Sequence, residues 1–391
     1  MTSWPFRAEL HQAEDVSLMM RRVVSGITRR DFLAATAAGA TSPGIALAGK
    51  PPDTTRKPAV LHATDLFHPY NDPDDHWDLA CLYALAHRGD IDLRGILIDF
   101  PPGHSDPDVM AVAQMNFITG LAAPVTVGSP PPLKTHSDSE PPAGQSDGAW
   151  MVLDLLRQSP VPVVINITGC CRDIAAAAKA APRLFAENCA AIYLNAGAGT
   201  RDKAVAPKLE YNVNLDPPAY AAIFDLPCPV YWMPCFEQMQ SPWVVREYGT
   251  FYKFRQSEIL PNLPDRMQNY FAYALSKVNN ANWLQYLTGK KDDRLLAEFG
   301  GNYRNMWCTG GFLHATGKTV SRSGDIVPLD KAGPSSVFTF DPIKVRCSDG
   351  GVTEWGTDDK SKDRYIFHVR DVENYESAMT AAMKFLLMSL P

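Results

Sequence analysis

Short apolar runs alternate with segments of helical periodicity along most of the chain. Apolar residues recur every three to four positions over Trp77–His87, Ala149–Arg157 and Asp173–Phe185, which predicts helices there. Strands that alternate with helices predict an α/β fold, in which a mostly parallel open sheet has helices on both faces. The apolar runs have the length and composition of buried strands: Val60–Ala63, Leu93–Ile98, Val125–Gly128, Val161–Ile167, Ala190–Leu194 and Val230–Met233.

The chain beyond about residue 240 has a different pattern. From about residue 240 to residue 300 it is helical and rich in aromatic residues, most of which we expect in the core. No internal repeat is visible, so we predict a single domain with a helical and aromatic insertion. Asp371–Leu390 predicts a closing helix with an apolar stripe: Tyr375, Met379, Met383 and Leu387.

An acidic cluster follows the first apolar run. Ligands of parallel α/β sheets bind beyond the carboxyl ends of strands, so this is where functional residues are expected. Carboxylates this close repel one another unless a cation or a helix N-terminus stabilises them, and their oxygens suit Ca²⁺ or Mg²⁺. The alternative is a solvated turn in which Asp72 or Asp74 caps the next helix. Five aspartates lie within fourteen residues: Asp65, Asp72, Asp74, Asp75 and Asp78.

The composition excludes several classes of protein. The 391 residues are 46% apolar and 20% charged, as in a soluble globular protein. Lysine and arginine total 37 against 43 aspartates and glutamates, and the net charge of −6 argues against a nucleic-acid partner. Eight cysteines are too dilute for a disulfide scaffold in a chain of this length.

The N-terminus predicts an export signal. Residues 28–34 read Thr-Arg-Arg-Asp-Phe-Leu-Ala, and an alanine-rich run then leads to Ala46-Leu47-Ala48. A paired arginine, a modest apolar run and an A-x-A site are typical of a twin-arginine signal, here 1–48, followed by a linker over 49–58 and a domain over 59–391. The run is too short to be a stable membrane anchor. We therefore expect the twin-arginine translocon to export the protein to the periplasm or beyond; an amphipathic N-terminal helix is the alternative.

Two segments resemble the nucleoside hydrolase family, in its inosine- and uridine-preferring form. Thr64-Asp65, a turn and then Asp74-Asp75 resemble the family's aspartate signature with a longer loop. Glu210–Pro217 resembles the family's Glu-aromatic-Asn…Asp-Pro segment. The resemblance spans about 58–391. Further segments agree in order and spacing: Ile91–Ile96, Thr168–Ile174, Ile192–Gly197 and Gly351–Asp371.

The resemblance implies a role for each matched residue. Asp65, Asp75 and the backbone carbonyl of Arg172 would hold a calcium ion, and Asp65 would also orient the attacking water. The ribose would contact four residues: Asp74, Asn195, Glu210 and Asn212. Dimers and tetramers are common in the family, so the resemblance leaves a homo-oligomer open.

The late part of the chain departs from the family pattern. Where the family carries a His-Asp pair, with the Asp on the metal, this sequence has Met306-Trp307. Sliding the frame to His314-Ala315 restores the histidine but no carboxylate. The family's early asparagine is also absent, around Pro101–His104. Three other aspartates are candidates for the missing metal ligand: Asp72, Asp78 and Asp99.

Several histidines are candidates for protonating a leaving group. His76 lies one residue past the Asp74-Asp75 pair, and its alternative role is to cap a helix or pair with an acid. His68 and His104 are further candidates, and we expect His314 to be a packed helix residue.

The sequence leaves three functions open. The first is an exported hydrolase that cleaves ribosyl–base or related glycosidic bonds of small molecules, through attack of metal-activated water on an oxocarbenium-like sugar. The second is a non-catalytic nucleoside or sugar binder that has lost a metal ligand at Trp307. The third is a hydrolase of another exported glycoside, because the Leu66–Pro73 loop would reshape the pocket entrance.

Overall fold

The computed structural model describes residues 57–101, 103–128, 131–137, 146–239 and 242–391. The described residues belong to one compact unit, in which strands and helices alternate. The predicted export signal at 1–48 and most of the predicted linker at 49–58 lie outside the described residues, so both stay predictions.

The described residues form fifteen strands and thirteen helices of four residues or more. The strands are β1 Ala59–Thr64, β2 Phe67–His68, β3 Asp92–Ile98, β4 Asp106–Pro107, β5 Val125–Val127, β6 Val163–Ile167, β7 Cys189–Asn195, β8 Val230–Met233, β9 Tyr252–Arg255, β10 Tyr303–Met306, β11 Lys318–Val320, β12 Ile326–Pro328, β13 Phe338–Cys347, β14 Thr353–Thr357 and β15 Arg364–Val369. The helices are α1 Asp74–His87, α2 Val109–Thr119, α3 Asp147–Gln158, α4 Arg172–Ala180, α5 Pro182–Asn188, α6 Tyr211–Leu215, α7 Pro217–Ile223, α8 Asp265–Leu275, α9 Trp283–Thr288, α10 Asp293–Gly300, α11 Thr309–Ala315, α12 Leu329–Ala332 and α13 Val372–Leu387.

Within the described part of the chain, nine strands form a central sheet in the order β14-β13-β15-β8-β7-β6-β1-β3-β5. All neighbours from β5 to β15 run parallel, whereas β13 is antiparallel to both β15 and β14. The first strand of the chain lies between β3 and β6, so the residues that follow it are at the middle of the carboxyl edge.

The core lies on both faces of this sheet. Successive side chains of a strand point to opposite faces, and accordingly Val60 belongs to one hydrophobic cluster and Leu61 to the other. Strands that are buried on both faces are apolar at nearly every position, which is why the runs of the sequence do not alternate. Helix α1 is buried from Asp75 to Leu85, and its acidic first turn therefore lies inside the molecule.

The α/β prediction is confirmed, since each of the six apolar runs overlaps a strand of the central sheet. The single helix predicted over Asp173–Phe185 is wrong: α4 ends at Ala180 and α5 begins at Pro182. Proline has no N–H and disfavours the helical conformation of the residue before it, and Ala181 has φ −147° and ψ 66°. The aromatic insertion contains β9 as well as helices α8, α9 and α10.

A small second pairing joins two loops at the carboxyl edge. Strands β2 and β4 are antiparallel, with Phe67 opposite Pro107 and His68 opposite Asp106. This pairing ties the long loop after β1 to the loop after β3. None of the helices in the described segments has both the length and the apolar character that a bilayer span requires.

Candidate functional site

Four segments at the carboxyl edge of the sheet bring most of the predicted site residues together. Asp65 directly follows β1, and Asp99 directly follows β3. The turn 168–172 follows β6, and Asn195 ends β7. Because β3, β1, β6 and β7 are consecutive in the sheet, these residues lie side by side, where an α/β sheet binds its ligands.

The turn after β6 packs directly against the ends of β1 and β3. A β-carbon on Gly169 would lie 2.8 Å from the backbone nitrogen of Asp65 and 2.7 Å from Oδ2 of Asp99. The backbone N–H of Cys170 donates a hydrogen bond to the same Asp99 oxygen. Glycine is therefore needed at position 169, since a side chain would push the neighbouring segments apart.

Asp75 is the most firmly held carboxylate of the acidic cluster. It lies in the first turn of α1 and is buried. Its Oδ1 accepts hydrogen bonds from the hydroxyl of Thr64, which ends β1, and from the hydroxyl of Thr168 at 3.2 Å. The side chain of Asp65 is hydrogen-bonded to Asp75. Two carboxyl groups in contact need a proton or a cation between them.

Burial and mutual repulsion raise the pKa values of most of the cluster. The pKa of Asp65 is raised well above its usual range, first by burial and then by the charges of Asp75 and Asp99. Burial, followed by the charge of Asp75, raises the pKa values of Asp74 and Asp78 in the same way. Burial is also the largest cause of the raised pKa of Asp99. The folded chain therefore disfavours full ionisation of the cluster unless a cation is bound.

Two arginines approach the cluster without neutralising it. Nη2 of Arg304 lies 3.5 Å from Oδ1 of Asp72, so this candidate ligand already has a cation beside it. Arg172 lies near Asp99, but its Nε donates to Oδ2 of Asp216 over 2.7 Å and its Nη2 to a backbone carbonyl at 3.0 Å. The Arg172 side chain is thus committed to a buried ion pair, and the predicted role of its carbonyl stays a prediction.

Glu210 and Asn212 lie at the start of α6, beside the end of β7. The Glu210 carboxylate caps this helix: Oε1 accepts from the N–H of Asn212 at 3.0 Å, and Oε2 accepts from the N–H of Gly197 at 2.9 Å. Nδ2 of Asn212 donates to the carbonyls of Thr168 at 3.1 Å and Asn195 at 3.4 Å. Oδ1 of Asn212 is buried with no hydrogen-bond partner among the described residues, so one acceptor is available to a ligand hydroxyl.

The side chain of Asn195 is engaged on both sides. Its Nδ2 donates to the Met233 carbonyl at 2.8 Å and to Oγ1 of Thr250 at 3.1 Å. Its Oδ1 accepts from the thiols of Cys308 at 3.2 Å and Cys235 at 3.7 Å. Contact with a sugar would require a weak thiol hydrogen bond to break, and the substrate-binding role of Asn195 stays a prediction. The two cysteines were not found by sequence reasoning, since nothing in their spacing marks them.

The segment without the metal carboxylate does reach the site. Trp307 is buried, and its ring packs against Phe236, Trp243 and Phe251, with centroid distances of 5.8, 6.2 and 5.8 Å. The next residue, Cys308, approaches the Asp78 carboxyl and Asn195. An aromatic wall therefore surrounds Trp307, the residue that the sequence alignment predicts in place of the family's carboxylate. His314 lies elsewhere, packed in α11 with its Nδ1 2.8 Å from the hydroxyl of Tyr193, as expected for a packed helix residue.

His76 pairs with an acid in the structure, and its catalytic role stays a prediction. His76 is 1% exposed, and its Nε2 lies 3.0 Å from Oδ2 of Asp108. Nδ1 of His68 is 3.7 Å from the same oxygen. Although burial opposes it, hydrogen bonding and the charge of His76 lower the pKa of Asp108, which also caps α2 through the N–H of Ala111. His76 and His68 thus both lie beside Asp108 in the loop between β4 and α2, and Nδ1 of His76 is buried with no hydrogen-bond partner among the described residues.

His104 is joined to a tyrosine that sequence reasoning passed over. The hydroxyl of Tyr211 lies 3.3 Å from both ring nitrogens of His104. Tyr211 is the middle residue of the Glu-aromatic-Asn segment, so the motif itself marked the position. Burial, then the charges of Asp65 and Asp99, raise the pKa of Tyr211 to about 12.

The donor chemistry of the cluster suits a hard cation. Both oxygens of Asp78 and Oδ1 of Asp99 are buried and have no N–H or O–H donor among the described residues; the weak donor beside Asp78 is the thiol of Cys308. Carboxylate oxygens of this kind are the ligands that Ca²⁺ and Mg²⁺ prefer. However, no group of three or more His, Cys, Asp or Glu side chains in the described ranges is already arranged to hold a metal ion. The residues present fit a cation by their chemistry.

Comparison with known proteins identifies the family. The sequence model of the inosine-uridine preferring nucleoside hydrolases matches residues 71–288, which is more than half of the chain and includes Asp74, Asp75 and Glu210–Asp216. None of the curated protein sequences matches the chain.

Solved nucleoside hydrolases resemble the structure at low sequence identity. A plant nucleoside hydrolase is 13% identical, with a TM-score of 0.52 over 85% of this chain and 99% of its own. An inosine-uridine preferring nucleoside hydrolase from Bacillus anthracis is 14% identical over 84% of this chain and 99% of its own, with a TM-score of 0.42. A purine-preferring ribonucleoside hydrolase from Gardnerella vaginalis is 14% identical over the same shares, with a TM-score of 0.44. The match to the family's sequence model over more than half of the chain, together with the fold of the plant enzyme, shows that the chain belongs to the inosine-uridine preferring nucleoside hydrolase family.

Proposed function

We propose that this protein hydrolyses the bond between a ribose and its base in a nucleoside or a related small N-glycoside. The observation that supports this function is a buried carboxylate cluster that the arginines of the described residues neutralise only in part, next to the free acceptor of Asn212. Cleavage of a ribosyl–base bond builds positive charge on the sugar, in an oxocarbenium-like transition state. Carboxylates that are not already neutralised stabilise such a charge best.

In the proposed mechanism, Asp65 is the general base that accepts a proton from the attacking water. Asp65 directly follows β1 at the carboxyl edge of the sheet, and as a carboxylate it can accept a proton from water. Water attacks the anomeric carbon and gives its proton to Asp65. The electron pair of the broken C–N bond leaves with the nucleobase. Asp74, which is half-buried, and Asn212 orient the sugar through its hydroxyls, with Glu210 fixing the position of Asn212.

We also propose calcium as the cofactor. Asp65, Asp75 and the carbonyl of Arg172 would hold it, with Asp78 or Asp99 in place of the carboxylate that is missing at Trp307. When bound, the ion would neutralise the cluster and make a water molecule easier to deprotonate. The raised pKa values of Asp78 and Asp99, caused mainly by burial, support this choice because both groups would gain from a cation.

A screen combined with metal analysis tests both parts of the proposal. The purified protein is incubated with nucleosides and simple glycosides, released sugar and base are measured, and bound metal is determined by mass spectrometry. Asp75→Ala is expected to lose at least about 100-fold in turnover together with its calcium. Asp359→Ala, at an exposed turn, is the matched control and keeps both. Full activity without calcium would reject the cofactor, and the absence of any product would reject the hydrolase.

A non-catalytic binder is the second function that an observation favours. Trp307, packed in its aromatic wall, removes the family's late metal ligand, and the described side chains form no preformed metal group. Such a protein would bind nucleosides tightly in calorimetry and give no product after long incubation. A third outcome, cleavage of simple glycosides but not nucleosides, would indicate that the Leu66–Pro73 loop selects another substrate.

We further propose that the protein is exported in the folded state through the twin-arginine translocon. The paired arginines Arg29 and Arg30, followed by an alanine-rich run, support this proposal. Replacing both with lysine is expected to retain the protein in the cytoplasm, as measured by cell fractionation. The same replacement at Arg21 and Arg22, outside the motif, is the matched control; equal export of both variants would contradict the signal.

A further inference from the structure

Two cysteines lie side by side at the amino edge of the central sheet, the edge opposite to the carboxylate cluster. Cys189 begins β7, and Cys228 lies two residues before the start of β8, the neighbouring parallel strand. Both are buried, with exposed fractions of 6% and 4%. We refer to these two residues as the Cys189–Cys228 pair.

The register of β7 and β8 brings Cys228 onto one face of the sheet. Ile192 of β7 is opposite Val230 of β8, and the N–H of Ile192 donates to the Pro229 carbonyl at 2.8 Å. Cys228 belongs to the same hydrophobic cluster as Ile192 and Val230. It therefore lies next to β7, on the face that Ile192 occupies.

A β-bulge brings Cys189 onto this face as well. Cys189 is three residues before Ile192, and in a regular strand an odd separation places two side chains on opposite faces. Here Cys189 is opposite Val163, but the next residue of β6 is opposite Ala191, so β7 contains one extra residue. The extra residue turns Cys189 onto the face of Ile192, and both belong to the same cluster.

The two thiols are in contact, and the backbone beside them is fixed. Hydrogen bonding with the Cys228 thiol, followed by burial, raises the pKa of Cys189 well above its usual range. The guanidinium of Arg364 fixes the turn before β8 through three backbone carbonyls. It donates to those of Phe224 at 2.8 Å, Leu226 at 2.6 Å and Cys228 at 3.0 Å.

The spacing of neighbouring strands permits a bond between the two sulfurs. Strands of a sheet are about 4.8 Å apart, which lies within the range of roughly 4.4–6.8 Å between the α-carbons of a disulfide. Cys235 and Cys308, by contrast, both direct their thiols to Oδ1 of Asn195, at 3.7 and 3.2 Å. Direct contact between thiols therefore selects the Cys189–Cys228 pair for a disulfide.

We infer that Cys189 and Cys228 form a stabilising disulfide when the protein meets a disulfide donor. The inference does not depend on the proposed hydrolysis, and the proposed export would supply the donor, because disulfides form and persist in the periplasm and outside the cell. One thiolate of the pair attacks a sulfur of the donor, and half of the donor leaves as a thiol. The second thiol then attacks the mixed disulfide and releases the other half. Two protons and two electrons pass from the pair to the donor, which becomes two thiols.

The crosslink would close a loop that contains residues of the proposed site. Asn195, Glu210 and Asn212 all lie between the two cysteines in the sequence. A disulfide lowers the conformational entropy of the unfolded chain, and the effect grows with the length of the closed loop. The disulfide is therefore expected to raise the free energy of unfolding of the segment that holds these three residues.

Reduced and oxidised forms of the purified protein test the inference. The protein is reduced with dithiothreitol, freed of it and incubated with glutathione disulfide until the oxidised fraction is constant, since the pair is buried. Free thiols are then blocked with iodoacetamide in urea and the peptides are analysed by mass spectrometry. We expect a peptide pair linked through Cys189 and Cys228, with two fewer blocked thiols than the eight of the reduced chain. The urea midpoint of the oxidised form is expected to be higher by about 0.5–1 M.

Two variants separate the disulfide from the packing of the thiols. Cys228→Ala is expected to have the same urea midpoint with and without glutathione disulfide, because Cys189 then has no partner. Cys347→Ala, at the partly exposed cysteine of β13, is the matched control and is expected to keep the full rise. Each variant is compared with its own reduced form, so any destabilisation by the substitution itself cancels.

The outcomes decide this inference separately from the proposed function. The absence of a linked peptide, a link between other cysteines, or a midpoint that does not rise on oxidation overturns it. A link between Cys189 and Cys228, with a rise that Cys228→Ala abolishes and Cys347→Ala retains, supports it. Failure of the proposed hydrolysis is seen in a different measurement, the release of sugar and base, and leaves the disulfide unaffected.

Discussion

Two kinds of buried carboxylate lie at the carboxyl edge of this sheet. Asp216 is 2% exposed and accepts hydrogen bonds from Nε of Arg172 at 2.7 Å and from the N–H of Ala219 at 3.1 Å. Asp78 is 1% exposed, and among the described residues neither of its oxygens has an N–H or O–H donor; the weak donor beside it is the thiol of Cys308. The chain neutralises the first carboxylate and leaves the second without a cation.

The difference between the two kinds of carboxylate distinguishes a structural role from a functional one. The Arg172–Asp216 pair joins the start of α4 to the start of α7, and its partners come from the chain, so it requires nothing from outside. The carboxylates around Asp75 gain nothing structural from being close together, because burial and repulsion disfavour their charged forms. Local arrangements that cost stability persist where a ligand compensates, which places the function at the cluster.

The largest expected effect on stability comes from Asp216, the carboxylate that the chain neutralises. Asp216→Asn leaves the Arg172 guanidinium buried without its counter-charge, so the free energy of unfolding is expected to fall by about 3–5 kcal/mol. Urea unfolding measures the loss. Glu187→Gln removes the exposed ion pair with Arg183 and is the matched control, with an expected change below about 1 kcal/mol. Equal losses in the two variants would erase the distinction between the two kinds of carboxylate.

The second effect is a pH dependence of the calcium-free protein. The folded-state pKa values of Asp65, Asp74, Asp78 and Asp99 are raised above those of the unfolded chain, so the folded state binds more protons. Their stabilising contribution is present below about pH 4 and is lost as the pH rises through the folded pKa values, by up to about 1.4 kcal/mol per pH unit for each proton.

Urea unfolding in a chelator, from pH 5 to pH 8, measures this dependence. Stability is expected to fall as the pH rises, and excess calcium is expected to flatten the curve because the ion replaces the protons. Asp108, whose pKa is lowered by His76, works in the opposite direction at lower pH, where its contribution is lost as the pH falls. A chelated protein that becomes more stable between pH 5 and pH 8 would contradict the unneutralised cluster.

The third effect is on stability, and its sign is opposite to that of Asp216→Asn although the change, aspartate to asparagine, is the same. Asp78→Asn removes a buried charge that the chain does not compensate, so the calcium-free protein is expected to gain about 1–2 kcal/mol at pH 8. The gain is expected to shrink as the pH falls, because the raised pKa of Asp78 favours its protonated, uncharged form at lower pH. Asp359→Asn, at an exposed turn, is the control with no change. A loss of stability at pH 8 would show that the Asp78 charge is satisfied without a ligand.

The sequence predicted the fold and the location of the cluster because both depend on local patterns. Strands buried on two faces are continuous apolar runs, and Asp65 follows one of them directly. The antiparallel strands β13 and β14 were not predicted as separate elements, because most of their residues are partly exposed and lack an apolar run. Pro182 was the local signal that should have divided the helix predicted over Asp173–Phe185.

The partners of the site residues could not be predicted, because they come from distant parts of the chain. Asp108 is 32 residues from His76, and Cys308 is 113 residues from Asn195. No spacing rule connects such positions, whereas Glu210 and Asn212 share one short motif and were found. The neutralised and unneutralised carboxylates also cannot be told apart in sequence, since the difference is whether a distant arginine or histidine folds against them.

The smallest expected effect tests the histidine that the sequence placed nearest to the cluster. Glutamine at position 76 retains an N–H donor that can reach Asp108 but cannot titrate, so His76→Gln is expected to cost about 0.5–1.5 kcal/mol of stability. Because His76 is buried and paired with Asp108, turnover on a nucleoside is expected to change by less than about twofold, against the 100-fold or more that loss of a proton donor causes. A large drop in kcat at unchanged stability would return His76 to the catalytic site and make Asp108 its positioning partner. A carboxylate that the chain neutralises would then serve catalysis. Neutralisation by the chain would therefore no longer distinguish a structural carboxylate from a functional one.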